Sequence, residues 1–325
     1  MNYSILSKHR SKIMAVAMLW IAFFHSSCWF NPKAVSFVKT NGFGGVDIFL
    51  FLFALGMVYS LSKGKSLVQF YTDRILRILP YVLPVFLFVC FVNQYDVFKS
   101  FLFVHFLDFW SGNNTTLWYV AALPVFVVLA PVSYQALKMK PWRSGLLFVW
   151  MSVVCFVLFK EKTQMIFASR LPIYFLGFYF GQCSYQKHVI RPFHLVALMV
   201  LAAAGLFWLY YNYHHFGSLM WGYGLYWYPF MLITPGLCVF CAIFFELLDS
   251  KVKKVGQQFH QLGALTLEFY LFHELVIRSV DYMIYWSWDP QGIVRNVFSF
   301  LLTMVIASVY HVLVKKLLDL MKGSC

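Results

Sequence analysis

The side chains of this protein with catalytic potential are few, and most stand in apolar surroundings. His25 falls in the stretch 12–30, and Asp47 opens the stretch 44–62. Hydrocarbon is a poor medium for ionisable groups, so one retained there is a functional candidate whose partner must be found. Counted from Ile13 at 1.5 Å per residue, His25 lies roughly 18 Å along a helix, past the midplane of a bilayer core and in its outer half. The two stretches are consecutive and antiparallel, joined by a short loop, so their outer ends are expected to be neighbours. A carboxylate beside an imidazole fixes the tautomer and supports the other ring nitrogen as a base. His25 and Asp47 are therefore read as a catalytic pair. Taken singly, His25 reads as a histidine donating to a neighbouring helix, and Asp47 as an anion at a helix start. Gly42, Gly44 and Gly45 let that start approach its neighbour closely.

Arg74 and Arg77 stand three residues apart in Phe70-Tyr-Thr-Asp-Arg-Ile-Leu-Arg-Ile-Leu-Pro80 and share a helix face. Two guanidiniums on one face make a fork for phosphate oxygens. The same pair also fits a topogenic role, with its side chains reaching lipid headgroups. Arg170 opens a further apolar stretch, and Glu268, His273 and Glu274 lie in another. Glu268 is near one end, where a cap or a lysine would satisfy it. His273 and Glu274 lie too deep to reach water. His105 and Asp108 share a face of an external segment, and His214 and His215 read as solvated loop residues.

These groups need elements to hold them. Of the 325 residues, 61% are hydrophobic, 21% aromatic and only 12% charged, and the mean hydropathy is +0.71. A soluble domain carries about 25% charged residues, so the solvent here is a bilayer. Spans are predicted near 12–30, 44–62, 78–93, 116–137, 144–160, 168–185, 193–212, 225–248, 264–280 and 293–314. The stretches are continuously apolar, which argues for helices over a barrel. The fold class is thus an all-α integral membrane protein of about ten helices, with residues 1–325 forming a single membrane domain.

The net charge of +14 follows from topology and does not point to nucleic acid. With the N-terminus inside, most of the 26 Lys+Arg fall on the same side, among them Lys8, Lys63, Lys65, Lys251, Lys253 and Lys315. The positive-inside rule then places both termini in the cytoplasm. No cleavable signal peptide is expected, because the first apolar stretch is long and lacks a small-residue cleavage site. Cys238 and Cys241 form C-x-x-C deep in an apolar helix with no second pair or histidine nearby. That pattern reads as packing, and no metal is expected. The stretch 94–115 holds an apolar segment, Phe101 to Trp110, too short to span and suited to an interfacial or re-entrant helix. Two external loops, Trp221 to Trp227 and Tyr282 to Trp288, are rich in aromatics. They suit an interfacial belt by default and sugar-stacking platforms as the sharper alternative.

In order and spacing these residues resemble the type-3 acyltransferase family of membrane O-acyltransferases. The resemblance runs through Trp20-Ile-Ala-Phe-Phe-His25, Gly44-Gly-Val-Asp-Ile-Phe-Leu-Phe-Leu52, Phe70 to Pro80, Leu117-Trp-Tyr119, Arg170-Leu-Pro172 with Gly177, and Gly263-Ala-Leu-Thr-Leu-Glu-Phe-Tyr-Leu-Phe-His273. It implies transfer of an acyl group, often acetyl, from cytoplasmic acyl-CoA to a bacterial surface polysaccharide or its lipid-linked precursor. His25 takes the catalytic role, and Arg74 and Arg77 bind the CoA phosphates. Trp118, Arg170, His273 and Glu274 are placed with the substrate. Two departures stand out. Many members carry an arginine eleven positions before the histidine, and here that position is Met14. Lys12 or Arg10 would stand in, and Lys12 is grouped with the arginine pair as the expected donor-binding set. Many members also carry a glutamate after Leu-Trp, where this chain reads Val120-Ala-Ala-Leu-Pro-Val-Phe. Some members carry a fused esterase-like domain; this chain ends after its last span.

The expected localisation is the bacterial inner membrane, and the expected partners are the lipid bilayer, acyl-CoA and a glycan acceptor. The rival class is a multi-pass transporter or flippase of a lipid-linked sugar. Such proteins often show repeated halves and broken helices, and neither is evident in the sequence.

Overall fold

The computed structural model describes residues 1–27, 33–92, 104–112, 118–159, 161–216, 224–283, 289 and 292–323. Along the described chain run α1 (Ser4–Lys8), α2 (Arg10–His25), α3 (Lys33–Thr40), α4 (Gly44–Leu61), α5 (Leu67–Val92), α6 (Val104–Trp110), α7 (Trp118–Ala136) and α8 (Pro141–Leu158). They are followed by α9 (Lys162–Ala168), α10 (Leu171–Tyr185), α11 (Pro192–His215), α12 (Phe230–Lys251), α13 (Lys253–Ala264), α14 (Thr266–Met283) and α15 (Ile293–Gly323). Among the described residues the only β pairing is an isolated bridge between Asn2 and Val189.

Helix α4 is the axis of the bundle. It is apolar all round, the pattern of a helix enclosed by others, and 72% of it is buried. Helices α2, α7, α10 and α12 pack around it. A Cβ on Gly45 would lie 2.5 Å from the Ala17 carbonyl, so the glycine lets the start of α4 sit against α2. Helices α8, α11 and α15 lie outside. Only 6% of α8 is buried, yet Leu146, Val149, Trp150, Val153 and Val157 are turned outward. An exposed apolar helix of that length is solvated by lipid.

Six helices, α4, α7, α8, α11, α12 and α15, are long and apolar enough to cross a membrane. The other four predicted stretches are helical too. Of these, α2 and α10 have 16 and 15 residues, and α14 carries Glu268, Glu274, Arg278 and Asp281. The third stretch begins earlier than predicted, because α5 runs from Leu67 and holds Arg74 and Arg77 in its first turns. The sixth starts close to its predicted bound, with a separate short helix ahead of it. Residues 162–168 form α9, and the chain restarts at Leu171 with Arg170 at the cap and Pro172 in the first turn. Proline lacks the amide that would continue a preceding helix but fits the start of a new one.

Three elements escaped the sequence reading. The loop expected between the first two stretches contains amphipathic α3, α1 precedes α2, and α13 lies alongside α2. The short helix expected within 101–110 is observed as α6, and 94–103 and 113–115 lie outside the described residues, as do 221–223 and 284–288 of the two aromatic loops.

Candidate active site

The site has two ends. At one, α2 terminates on His25, which is exposed beside Ser26 and Ser27. Its ring meets that of His273 edge to face, with centroids 4.9 Å apart. His273 is only 2% exposed and lies parallel to the Phe269 ring. Its Nδ1 donates to the Tyr270 carbonyl at 2.8 Å. A carbonyl can only accept, so the bond fixes the tautomer and leaves Nε2 as the bare nitrogen. That nitrogen is buried without a hydrogen-bond partner. Glu274, the next residue, pairs with Arg278 one turn on, and these two supply the charges that act on His25. A polar strap holds the chain just past His25. Arg295 and Asn296 of α15 both donate to the Ser27 hydroxyl, at 2.5 and 2.9 Å, and the Ser27 amide donates back to Asn296.

The expected His25–Asp47 pair does not form. Asp47 is 1% exposed, and its carboxylate is turned to Arg170, with Oδ1 3.6 Å from Nε. Arg170 is itself 1% exposed, donates to the Ile166 carbonyl, and lies over the rings of Trp118 and Trp227 at 4.5 and 5.1 Å. The break between α9 and α10 explains the difference. It frees Arg170 to enter the core beside the start of α4, and a full positive charge outcompetes a neutral imidazole for a buried carboxylate. Asp47, Arg170 and Trp118 therefore form one cluster, and His25, His273 and Glu274 form another.

At the other end lie the arginines. Arg10 begins α2, and its Nη1 lies where a side chain on Gly56 would be, 2.8 Å from the Cβ position. Arg10, Arg74 and Arg77 act on one another electrostatically. Arg74 is partly buried, and the like charges of Arg77 and Arg10 both act on it. The Nε atoms of Arg10 and Arg74 are buried without hydrogen-bond partners. Asp73, a carboxylate that also acts on Arg74, accepts a hydrogen bond from Lys65. A cluster of like charges with unsatisfied donors is an arrangement that suits an anion with several oxygens. Lys12, expected here, is elsewhere: it pairs with Asp249 of α12, beside the contacts of Lys8 and His9 with Glu246. Helical phase explains the change, since residues two apart point to different sides of α2. The cation that joins Arg74 and Arg77 is Arg10.

The ends are connected through the interior. Tyr119, within the field of Arg10, has its ring 5.7 Å from Tyr270, and Tyr270 lies 5.5 Å from His273. Along α2 the rise from Arg10 to His25 is about 22 Å, of the order of an extended phosphopantetheine arm. Glu268, expected to cap or meet a lysine, instead accepts from His311 at 2.5 Å. Among the described residues no group of three or more His, Cys, Asp or Glu is placed to hold a metal ion.

Residues missed by the sequence reading are Trp227, Tyr119 and Tyr270 in a site role, and the Ser27–Arg295–Asn296 strap. Nothing in their local sequence distinguishes them from interfacial aromatics and loop polar groups.

The bundle thus combines a lipid-facing apolar surface with a histidine pair at one end and, at the other, an arginine cluster without an ion pair among the described residues. The profile described as an acyltransferase domain matches residues 15–312, and the chain belongs to that type-3 acyltransferase family. No curated protein and no solved structure matches it. The protein is therefore an acyltransferase of the membrane.

Proposed function

We propose that the protein is a membrane O-acetyltransferase. It would move the acyl group of cytoplasmic acetyl-CoA to a hydroxyl of a cell-surface or lipid-linked polysaccharide, at the inner membrane of a bacterium. The observation that carries this reading is the pairing of an accessible histidine at one end of α2 with a guanidinium cluster at the other, in which Arg10 and Arg74 are partly buried, Arg77 is exposed and none shares an ion pair among the described residues. Ten spans with both termini in the cytoplasm put the arginines on the side of CoA and His25 near the far face.

In this reading the CoA phosphates rest on Arg10, Arg74 and Arg77, and the pantetheine arm runs past Tyr119 and Tyr270. The thioester then lies at His25. As a general base, His25 takes the proton of the sugar hydroxyl while its oxygen attacks the thioester carbonyl. Collapse of the tetrahedral adduct breaks the C–S bond, and the imidazolium returns its proton to the departing thiolate. Direct attack by His25 would instead give an acyl-imidazole that the sugar hydroxyl then opens. His273, locked with a bare Nε2 behind His25, supports a positive charge there in either route. Asp47 and Arg170 brace the helix ends that frame the site.

The test uses sealed vesicles. Acetyl-CoA supplied only to the cytoplasmic face should acetylate externally disposed glycan, and His25→Ala should abolish transfer at equal protein level. Equal transfer with donor confined to the outer face would overturn the assignment of the two ends.

A further inference from the structure

A second cavity opens beside the histidine end, away from the residues described so far. It has a volume of about 440 Å³ and is walled by α3, the last turns of α11 and the residues before α12, a size common among small-molecule sites. Its lining includes Lys33, Asn41, Tyr210, Tyr213, His214 and Tyr226, and no acidic residue. Tyr210 and Tyr213 are more than half exposed. His214 leans on Tyr210 at 4.3 Å and meets Tyr213 edge-on at 5.4 Å, which holds the rings as a wall.

Asn41 gives this wall its polarity. It is only 5% exposed, and its side-chain amide donates to the Phe37 carbonyl at 2.8 Å. That bond fixes which atom is oxygen, and Oδ1, on a residue that lines the cavity, is buried with no hydrogen-bond partner. Buried polar atoms are satisfied in the great majority of cases, and a small turn of the Asn41 side chain would offer this acceptor to a hydroxyl in the cavity. An interfacial aromatic belt would need neither the cavity nor the orphan acceptor.

The chemistry that fits is a sugar ring carrying an anionic group. Its C–H face would lie on the tyrosine wall, a hydroxyl would donate to Asn41 Oδ1, and its carboxylate would meet Lys33. A neutral sugar leaves Lys33 unused, and the absence of lining carboxylates removes any repulsion of an anion. The cavity is joined to the reacting histidine by ring contacts, His25 to Phe24 at 4.9 Å, Phe24 to Phe43 at 5.8 Å and Phe43 to Tyr226 at 4.7 Å. Three successive ring contacts thus link the cavity to the histidine end. We propose that this cavity is an acceptor subsite that binds an acidic sugar unit of the glycan a few residues from the hydroxyl acylated at His25. This rests on the transferase reading above.

The test measures binding, not turnover, with the full-length protein in nanodiscs. Oligogalacturonides and neutral maltooligosaccharides of equal length serve as probes, with tryptophan fluorescence or calorimetry as readout. Wild type should prefer the uronate oligomer at least tenfold, with an affinity that falls as salt rises. Lys33→Gln should weaken the uronate oligomer about three- to tenfold and leave the neutral one unchanged. Tyr213→Ala, at an exposed position that tolerates truncation, should weaken both, and Asn41→Ala should do the same if it folds. Equal affinity for the two probes, binding of neither, or indifference to Lys33→Gln and Tyr213→Ala would overturn the subsite. Displacement of the uronate by phosphatidylglycerol but not phosphatidylcholine vesicles would reassign the cavity to a lipid headgroup and also overturn it. The His25→Ala protein should bind the uronate as wild type does. Binding without any turnover of acetyl-CoA would leave the subsite standing and defeat the transferase reading. Turnover without binding would do the reverse.

Discussion

Arg10 and Lys12 stand two residues apart at the start of α2, and their replacement by glutamine should have opposite signatures. Three guanidiniums that repel one another raise the energy of the fold unless an anion lies among them. Arg74 is only partly buried, so solvent screening leaves on the order of 1 kcal/mol for its repulsion by the two neighbours. Arg10→Gln should therefore leave the melting temperature of the donor-free protein unchanged or raise it slightly. With donor the sign reverses. Loss of a charge-assisted phosphate contact costs about 1.5–3 kcal/mol, a roughly ten- to hundredfold weaker affinity for acetyl-CoA. Lys12→Gln breaks the ion pair with Asp249, whose side chain is 29% exposed. It should lower stability by on the order of 1–2 kcal/mol, less than for a fully buried pair, with donor affinity unchanged. The assay is thermal unfolding in detergent, with and without acetyl-CoA, together with binding of acetyl-CoA and 3′,5′-ADP at low and high salt. A donor affinity within twofold of wild type in Arg10→Gln, or an equal loss in Lys12→Gln, would refute the assignment of Arg10.

Other outcomes follow from the same geometry. Asp47 and Arg170 at 3.6 Å attract by about 4–5 kcal/mol at an effective dielectric constant of 20, so Arg170→Met should lower membrane yield and melting temperature, and Asp47→Asn in the same chain should restore much of both; no recovery in the double variant would show that Arg170 acts through its aromatic contacts and not through Asp47. His25→Ala should cost at least about 10²–10⁴-fold in transfer without a change in acetyl-CoA affinity, and weakened donor binding would move His25 out of its catalytic role. His273→Gln should lower kcat and shift the pH–rate profile at nearly constant KM for acetyl-CoA; a rise in KM alone would make His273 a donor contact.

How much was legible in the sequence depended on whether a residue's partner lay on a contiguous run. The ten apolar stretches all coincide with helices because a bilayer demands long uninterrupted apolar runs. The His25 position, the Arg74–Arg77 face and the short helix at 104–110 could likewise be read within single segments. Asp47 could not. Its partner was inferred from chain adjacency, and adjacency places two helices together without fixing which faces meet. The carboxylate's partner is Arg170, which the sequence places correctly at the opening of its stretch without showing that the turn at Ser169-Arg170 carries the guanidinium beside the start of α4. The substitute for the missing arginine had the same difficulty. Arg10 and Lys12 carry equal charge, and only the phase of α2 against Gly56 and Asp249 separates them. Amphipathic α3 was hidden because a stretch of eight residues offers few turns over which to detect a period.

The distribution of ion pairs also bears on function. Where the protein holds charge for stability, it supplies a counter-charge: Arg170 has Asp47, Lys12 has Asp249, Lys8 has Glu246 and Arg278 has Glu274. Among the described residues, Arg10, Arg74 and Arg77 share no ion pair of this kind. Asp73, which acts on Arg74, is engaged by Lys65. The fold pairs its structural charges elsewhere yet gathers three guanidiniums at one end, with the Nε atoms of Arg10 and Arg74 unsatisfied, and this is the arrangement on which the proposed donor site rests. Topogenic arginines would need no such grouping, since headgroups and water satisfy them one by one at the surface. The same reasoning separates the two histidines. His273 is locked by the Tyr270 carbonyl and sealed from solvent, whereas His25 ends its helix in the open. In the proposed mechanism this difference in access sets the order of the pair: His25, the exposed ring, meets the acceptor, and His273 stands behind it.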